Sequence, residues 1–360
     1  MLPNYRLLCP NALFFRDGHP CEDCRGRFVP WPGVVHACYR SSRVASTTVA
    51  AMLTVHRALR TWNREVDLYI APTEFARRKF VDGGLPAEKI VVKPNFVHPD
   101  PGYSTAPKEF TIFVGRLSPK KGLDTVISAW QQLGEGIPLK VIGEGPLAGM
   151  VADVAAQLPV IEVLGRQPMQ TVNEPLGRAH FLVFPSKWYE GLPRIVIEAF
   201  AKGTPVSAPN LGSMSTLVED GRTGLLFSAG APDNLAAKVA WAWAHPRAMA
   251  EMGWEARHEY QARYTAEQSY ERLMTIYEMA LGHSPRIARL RAHWPPGGAV
   301  CRRRTPARAT ASVECRSGRC RRVWAGGARR HAPNGRLPGS NLYRYFGSLP
   351  SPGRPGPMGS

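Results

Sequence analysis

The sequence contains no uninterrupted apolar run of the roughly eighteen residues that a membrane-spanning helix needs. Its start, MLPNYRLLCPN, lacks the charged and apolar regions of a secretory signal peptide. Cysteine is scarce: seven are present in 360 residues. Because so few thiols fit a reducing compartment better than a disulfide framework, we expect a cytoplasmic protein.

Lysine is absent and acids are nearly absent from residues 283–360. This stretch holds sixteen Arg and a single acid, Glu314, so its formal charge is +15 of the total +18 and residues 1–282 carry only +3. It is rich in Arg, Pro and Gly and shows no helical or alternating apolar periodicity. We therefore predict a disordered basic tail. A nucleic-acid-binding arm is the alternative, but no aromatic or motif framework accompanies the charge, and no nucleic-acid partner is expected.

Short β-branched runs alternate with helical stretches between Phe110 and Phe227, which predicts a doubly wound parallel sheet of the α/β class. The predicted strands are FTIFVG, LKVIG, IEVLG, HFLVFP, TPVSAP and GLLF, and helices are predicted from Pro232, Pro246 and Ala266. Residues 101–282 therefore form a complete Rossmann-like domain. Residues 1–100 contain one long helical stretch to Trp62, a second helix and two strands, which is the later half of another α/β domain.

The stretch WYEGLPRIVIEAFAKGTPV places Glu190 and Glu198 on either side of a predicted helix start. Pro193 is expected in the first turn, so the free amides near Gly191 point outward, where an anion binds. The two carboxylates are good acceptors for sugar and ribose hydroxyls. For either Glu taken singly, the simpler interpretation is preferred: Glu190 as an acid favoured by the helix dipole and Glu198 as a solvated helix residue.

A second loop, in VGRLSPKKGLDTVISAW, follows a strand that ends at Gly115. Arg116 and Lys121 then project from the carboxyl edge of the sheet, where open α/β sheets bind ligands. Two cations there suit a diphosphate, since Arg binds two phosphate oxygens at once and Lys adds a mobile point charge. A solvated loop is nearly as good an explanation for this segment alone.

A third loop, VIGEGP, carries Glu144 between Gly143 and Gly145 at the end of the next strand. Small residues there permit a nucleotide to approach the backbone. Glycine also ends strands for purely steric reasons, so this loop is weak by itself. The three loops gain weight because they occur in order at successive strand ends.

Together, VGRLSPKKGLD, VIGEGP, the spacing from Glu190 to Glu198, EAFAKGTPV and VEDGRTGLLF resemble the donor domain of the family-four retaining glycosyltransferases, over roughly residues 60–282. The resemblance implies a GT-B fold, in which residues 1–100 are the remnant of an N-terminal acceptor-side Rossmann-like domain and residues 101–282 bind the donor. It also implies transfer of a sugar from a UDP- or GDP-sugar to a glycan or lipid-linked acceptor, with retention of configuration and no required cofactor, in polysaccharide biosynthesis.

The same resemblance implies the roles of the site residues. Arg116 and Lys121 would hold the donor diphosphate, Glu198 the ribose hydroxyls and Glu190 the transferred sugar. The remaining donor-binding positions are the backbone amides of Gly191 and Leu192 and the loop residues Gly115, Gly143, Glu144 and Gly145. Catalysis would then be electrostatic, because the leaving nucleoside diphosphate gains negative charge as the glycosidic bond breaks.

The chain departs from the family pattern at its start. The family implies about a hundred further residues before Met1, and its relatives usually carry a His where this sequence has Leu2 and Pro3. We therefore expect an N-terminally truncated member. A catalytically inactive nucleotide-sugar-binding fragment is the alternative function.

Two further clusters each allow two interpretations. The first cluster consists of Cys9, Cys21, Cys24 and Cys38 and includes the pair CEDC. Reduced loop cysteines are the preferred interpretation, and a structural zinc site is the alternative. The second cluster is basic. Solvated helix faces explain its residues, and peripheral contact with anionic lipid on the inner face of the cytoplasmic membrane is the functional alternative. Its members are Arg57, Arg60, Arg64, Arg77, Arg78 and Lys79.

Overall fold

A computed structural model of the chain describes residues 1–283 and, beyond them, residues 315–316 and 319–320. The rest of the predicted tail lies outside the described residues. Two units are distinguished, Met1–Pro295 and Pro296–Ser360. The strands are β1 (Phe15–Arg16), β2 (His19–Pro20), β3 (Tyr69–Ala71), β4 (Ile90–Val92), β5 (Phe110–Val114), β6 (Leu139–Ile142), β7 (Ile161–Gly165), β8 (Ala179–Val183), β9 (Val206–Pro209), β10 (Gly224–Phe227), β11 (Cys315–Arg316) and β12 (Arg319–Cys320).

Helices alternate with these strands through most of the first unit. They are α1 (Trp31–Val35), α2 (Arg43–Ala58), α3 (Thr61–Arg64), α4 (Glu74–Asp82), α5 (Leu123–Leu133), α6 (Ala148–Gln157), α7 (Met169–Arg178), α8 (Arg194–Lys202), α9 (Met214–Leu217), α10 (Pro232–Ala244), α11 (Pro246–Arg263) and α12 (Ala266–His283). Short 3₁₀ turns occur at Ala87–Lys89, Pro119–Lys121 and Gly134–Gly136. None of the helices within residues 1–283 is both long enough and apolar enough to span a membrane.

The main sheet has six parallel strands in the order β10-β9-β8-β5-β6-β7. The six strands predicted from the sequence are all present, and the α/β fold class is confirmed. Because β5 pairs with both β6 and β8, the strand order reverses at β5. Ligands of doubly wound sheets bind outside the carboxyl ends of the strands at such a reversal, so this edge locates the site.

Helices cover both faces of the sheet, which explains why β5 and β8 are almost continuously apolar. On one face α5 packs against α10, and the fully buried Trp130 donates its indole N–H to the carbonyl of Ile137 at 2.8 Å. On the other face α8 packs against α11 around the buried Phe200. The sheet therefore lies between two separate hydrophobic clusters.

Several helix boundaries differ from the predicted ones. Pro193 directly precedes α8 instead of lying in its first turn, and Pro146 lies two residues before α6. The long helical stretch predicted to run through Trp62 is interrupted at Arg60, whose φ of 52° is left-handed, so α2 and α3 are separate. Apolar periodicity continues across this break, which is why it could not be seen in the sequence.

The region before residue 101 has its own small parallel sheet, formed by β3 and β4, with α4 connecting them. The side chain of Thr73 caps α4 by accepting a hydrogen bond from the amide of Ala76. A third cluster, around Tyr5, Phe14 and Phe80, packs beside this sheet. The two predicted strands and the second helix of this region are thus present. Lys93, just after β4, donates to Ser269 of α12 at 2.7 Å, so the last described helix contacts this region.

Candidate functional site

A cleft of about 1040 Å³ lies at the carboxyl ends of β5, β6 and β7, and we call it the strand-end cleft. Its volume is at the upper end of the range for small-molecule sites. The predicted positions Gly115, Arg116, Gly143, Glu144 and Gly145 all line it. The remaining lining residues are Val114, Ile142, Pro146, Ala148, Arg166, Gln167, Met169 and Val172.

Gly143 and Gly145 let two strand-end loops touch backbone to backbone. A Cβ at Gly143 would lie 1.9 Å from the carbonyl oxygen of Gly115, and one at Gly145 would lie 2.3 Å from that of Leu117. The amide of Leu117 also donates to the carbonyl of Glu144 at 2.9 Å. The steric explanation for these glycines therefore holds, and the same close approach shapes the wall of the strand-end cleft.

Lys121 and Glu190 meet where the loop after β5 reaches the loop after β8. The Lys121 Nζ atom lies 2.6 Å from Glu190 Oε1, and the same oxygen accepts from Ser186 Oγ and from Trp188 Nε1, each at 2.7 Å. Glu190 is buried, so its carboxylate is held by three donors away from water. We call this contact the Lys121–Glu190 pair. The interpretation of Glu190 as merely a dipole-favoured acid is wrong.

Cations outnumber the acid at this corner. Lys120 lies over the Trp188 ring at 4.7 Å, and burial, followed by the nearby charge of Lys121, lowers the pKa of Lys120. Arg116 adds a third positive charge and is exposed, with no ion-pair partner among residues 1–283. Three cations facing one buried carboxylate leave a positive charge that suits a di-anionic group.

The two loops of the pair are locked together by their backbones. The amide of Lys187 donates to the carbonyl of Lys120 at 3.0 Å. Gly122 has a φ of 70°, and a Cβ there would lie only 1.9 Å from the carbonyl oxygen of Pro185. Lys121 is therefore positioned by residues on both sides of it along the chain.

The start of α8 faces the same corner. The side chains of Asn95 and Ser213 donate to the carbonyls of Leu192 and Glu190, at 3.0 and 2.6 Å, and hold this turn in place. Within the part of the chain that the structure describes, the amides of Gly191 and Leu192 donate to no other residue. They retain the capacity to bind an anion at the positive end of the helix.

Glu198 is buried inside α8, so the interpretation of this side chain as a solvated helix residue is wrong. Its Oε1 accepts from Arg194 Nε at 2.9 Å, whereas Oε2 has no hydrogen-bond partner within residues 1–283. Burial raises the pKa of Glu198, against the opposing effect of the Arg194 charge. An unpaired buried carboxylate oxygen is costly and is well suited to accept from a ligand hydroxyl.

This raised pKa predicts how stability depends on pH. A group whose folded-state pKa is raised stabilises the fold below its ordinary pKa, and that contribution is lost as the pH rises through the folded value. Glu198→Gln removes the titration while keeping the shape. We expect the melting temperature of Glu198→Gln, relative to that of the unsubstituted protein, to increase as the pH rises from the ordinary pKa of glutamate toward neutral pH. A difference that stays flat or falls over this range contradicts the prediction.

Some residues of this site were not predicted. Arg166, Gln167 and Met169 follow β7 and line the strand-end cleft, where Arg166 lies 3.0 Å from Glu144. These residues could have been predicted, because the rule that ligands bind at the carboxyl ends of parallel strands applies to β7 as it does to β5 and β6. Ser186 and Trp188 carried no signal, since only the folded loop aims them at Glu190.

The two other predicted clusters are resolved differently. Among the basic residues, Arg57, Arg77 and Lys79 donate to backbone carbonyls or to Glu22 and are only partly exposed. Arg60, Arg64 and Arg78 are exposed, as expected of solvated faces. The four cysteines up to Cys38 are free thiols and line one small cavity.

The parallel sheet with its reversed strand order and the second, small parallel sheet fit the GT-B fold. Residues 102–259 match the family model "Glycosyl transferases group 1". This match agrees with the resemblance that the motifs predicted.

Similar proteins agree with the family assignment. An uncharacterized glycosyltransferase of Methanocaldococcus jannaschii, MJ1178, is 32% identical over 161 residues, which cover 44% of this chain and 45% of the relative. A GDP-mannose-dependent α-(1-6)-phosphatidylinositol monomannoside mannosyltransferase of Mycolicibacterium smegmatis is 28% identical over 234 residues, covering 58% and 61%. The chain spans about half the length of the curated relatives it matches.

Solved structures share the fold. Anabaena Alr3699/HepE in complex with UDP superimposes with a TM-score of 0.56 at 20% identity, covering 65% of this chain and 67% of HepE. Sucrose-phosphate synthase of Thermosynechococcus elongatus gives 0.57 at 21% identity, covering 70% and 66%. These similarities support the GT-B fold.

Proposed function

We propose that this chain binds a UDP- or GDP-sugar and transfers its sugar, with retention of configuration, to a glycan or lipid-linked acceptor in polysaccharide biosynthesis. The Lys121–Glu190 pair is the observation that carries the proposal. It holds a cation in contact with a carboxylate that is able to accept hydrogen bonds from sugar hydroxyls, at the edge where strand order reverses. The loop that carries Lys121 begins with Gly115 and Arg116, which line the strand-end cleft.

In this proposal the nucleoside lies in the strand-end cleft, with its ribose hydroxyls on Glu198. The diphosphate lies against Arg116, Lys121 and the free amides of Gly191 and Leu192. These groups stabilise the charge that develops on the leaving diphosphate, and because they are already in place they need no reorganisation during the reaction. No cofactor beyond the donor is required.

Glu190 takes the hydroxyls of the transferred sugar. Its three donors all bind Oε1, which leaves Oε2 for a ligand. Donor binding also gives Lys121 a second anion, the diphosphate, so the pair couples recognition of the sugar to recognition of the phosphates. A nucleotide-sugar-binding chain without transferase activity is the second candidate, and it is distinguished below by the product.

Two proposals concern the whole chain. Residues 1–100 and 101–282 would act as the acceptor-side and donor-side domains. The exposed Arg60, Arg64 and Arg78 would contact anionic lipid at the inner face of the cytoplasmic membrane, where a lipid-linked acceptor is reached.

A thermal-shift series tests donor binding. A ligand that binds only the folded state stabilises it by about 2.7 kcal/mol at roughly 100 times its Kd. We expect UDP or GDP to raise the melting temperature by several degrees, and the matching sugar nucleotide to raise it further. Lys121→Ala should abolish the shift, whereas Lys140→Ala, on β6 and paired with Glu162 outside the cleft, should keep it.

The outcome separates the candidates. A shift accompanied by release of the nucleoside diphosphate and glycosylation of an acceptor supports the transferase. A shift without any product, across a panel of glycan and lipid-linked acceptors, supports the binding chain. No shift with any nucleotide or sugar nucleotide contradicts both.

A further inference from the structure

The four cysteines of the N-terminal segment converge on one place, although they come from separate turns. Cys9 closes a turn in which the amide of Ala12 donates to its carbonyl at 2.8 Å, and the amide of Cys21 donates to Phe14 at 2.8 Å. Cys38 follows α1, its amide bonded to Gly33 at 2.9 Å. With Cys24, all four line one small cavity of about 10 Å³.

The segment that carries them has little regular structure to hold it. Over residues 1–42 the described elements are two strands of two residues each and the five-residue helix α1. Six non-glycine residues there have left-handed φ angles, each of which costs free energy and persists only where the surroundings enforce it. They are Ala12, Phe14, Asp17, Ala37, Arg40 and Ser41.

We infer that Cys9, Cys21, Cys24 and Cys38 bind one Zn²⁺, which cross-links the turns of this segment. Four thiolates are the donor set of closed structural zinc sites, and the Cys-x-x-Cys pair has the spacing that such sites use. The cavity volume is about that of one water-sized sphere, so it accommodates a single ion. No other His, Asp or Glu lines it.

The thiols are not already arranged as a coordination sphere: within residues 1–283 no group of three or more His, Cys, Asp or Glu side chains is placed to hold a metal ion. Binding therefore requires rotation of the cysteine side chains toward the common cavity. The backbone turns that carry them are already fixed by hydrogen bonds, so the ion would select side-chain rotamers within an existing frame.

The inferred ion would also support the Lys121–Glu190 pair. Glu22, between Cys21 and Cys24, accepts a hydrogen bond from Lys79 at 2.5 Å, and the Lys79 ammonium lies over the Tyr189 ring at 5.3 Å. Tyr189 directly precedes Glu190 and packs edge-on against Phe14 and Phe75. Through Phe14 and Lys79, a zinc-bound turn would therefore support the loop that carries Glu190.

Metal analysis of the full-length protein, purified without a metal-affinity step, tests the inference independently of any transferase activity. We expect one zinc per chain after gel filtration, and Co²⁺ exchanged into the protein should show the absorption of tetrahedral thiolate coordination. Cys24→Ser should lose the metal, whereas Cys301→Ser, a thiol remote in sequence, should retain it.

The result has clear alternatives. Protein that holds no zinc, or whose mass under non-reducing conditions shows a disulfide within the four, overturns the inference. Zinc that survives in Cys24→Ser lies elsewhere and overturns it too. If Cys24→Ser fails to fold, the zinc content and cobalt spectrum of the unsubstituted protein still decide the question.

Discussion

Replacing Lys121 by Ala is expected to lower kcat/KM for sugar transfer by roughly a hundred- to a thousandfold, the usual effect of removing one preorganised group that stabilises developing charge. The expectation rests on the proposed function and on one contact. Lys121 is the cation that the fold places in contact with Glu190, at 2.6 Å. The substitution removes a positive charge that stabilises the leaving diphosphate. It also leaves the buried Glu190 carboxylate without its counter-charge.

Two measurements and one further variant separate these two effects. Steady-state kinetics gives the loss in kcat/KM, and urea unfolding gives the cost of the unpaired carboxylate. Lys121→Arg keeps the charge and should recover part of the activity. Lys140→Ala is the matched control and should leave kcat/KM unchanged, because its Glu162 partner lies outside the cleft. A Lys121→Ala protein that transfers sugar at the unsubstituted rate would refute the role of the pair.

Substitution of Gly122 by Ala should be strongly disruptive, although it adds only one methyl group to this site. A Cβ would lie 1.9 Å from the backbone carbonyl oxygen of Pro185, which cannot rotate away as a side chain does. The φ of 70° also disfavours any residue with a Cβ. We expect the free energy of unfolding to fall by about 3–5 kcal/mol, in the range that single substitutions reach only through a specific structural fault.

Chemical denaturation of Gly122→Ala checks this value, with Gly149→Ala as the control. Gly149 lies near the start of α6 and has no neighbour within 4 Å of its Cβ position. Alanine there should stabilise the protein by up to about 1 kcal/mol, since it reduces the freedom of the unfolded chain. A Gly122→Ala protein as stable as the parent would show that the loops after β5 and β8 are not locked together.

Gly122 directly follows Lys121 in the sequence, and this links the two predictions. Because Gly122 fixes the backbone beside Lys121, its substitution should weaken nucleotide binding as well as the fold. The thermal shift caused by the nucleotide should therefore shrink in Gly122→Ala. In Gly149→Ala it should remain, because that residue lies on a helix and does not touch either loop.

Much of the fold could be predicted because its signals are local. The six strands of the main sheet are short apolar runs, several of which end at a glycine or a proline, and helical stretches separate them along the chain. The break at Arg60 could not be predicted, because no residue type there forbids a helix and one residue with a left-handed φ leaves no mark on the apolar pattern. The position of Arg116 at the cleft could be predicted, since the carboxyl ends of parallel strands share one edge.

The sequence by itself determined the strand and helix pattern, the motifs that match the group 1 glycosyltransferase model over residues 102–259 and the loops that carry the site, because these depend on neighbours along the chain. Only the tertiary structure decided that Glu190 and Glu198 are buried, that Ser186, Trp188 and Lys121 all donate to one carboxylate oxygen, and that four cysteines line one cavity. Burial and convergence depend on segments far apart in sequence, and a carboxylate in a helix looks the same in the sequence whether water or protein surrounds it.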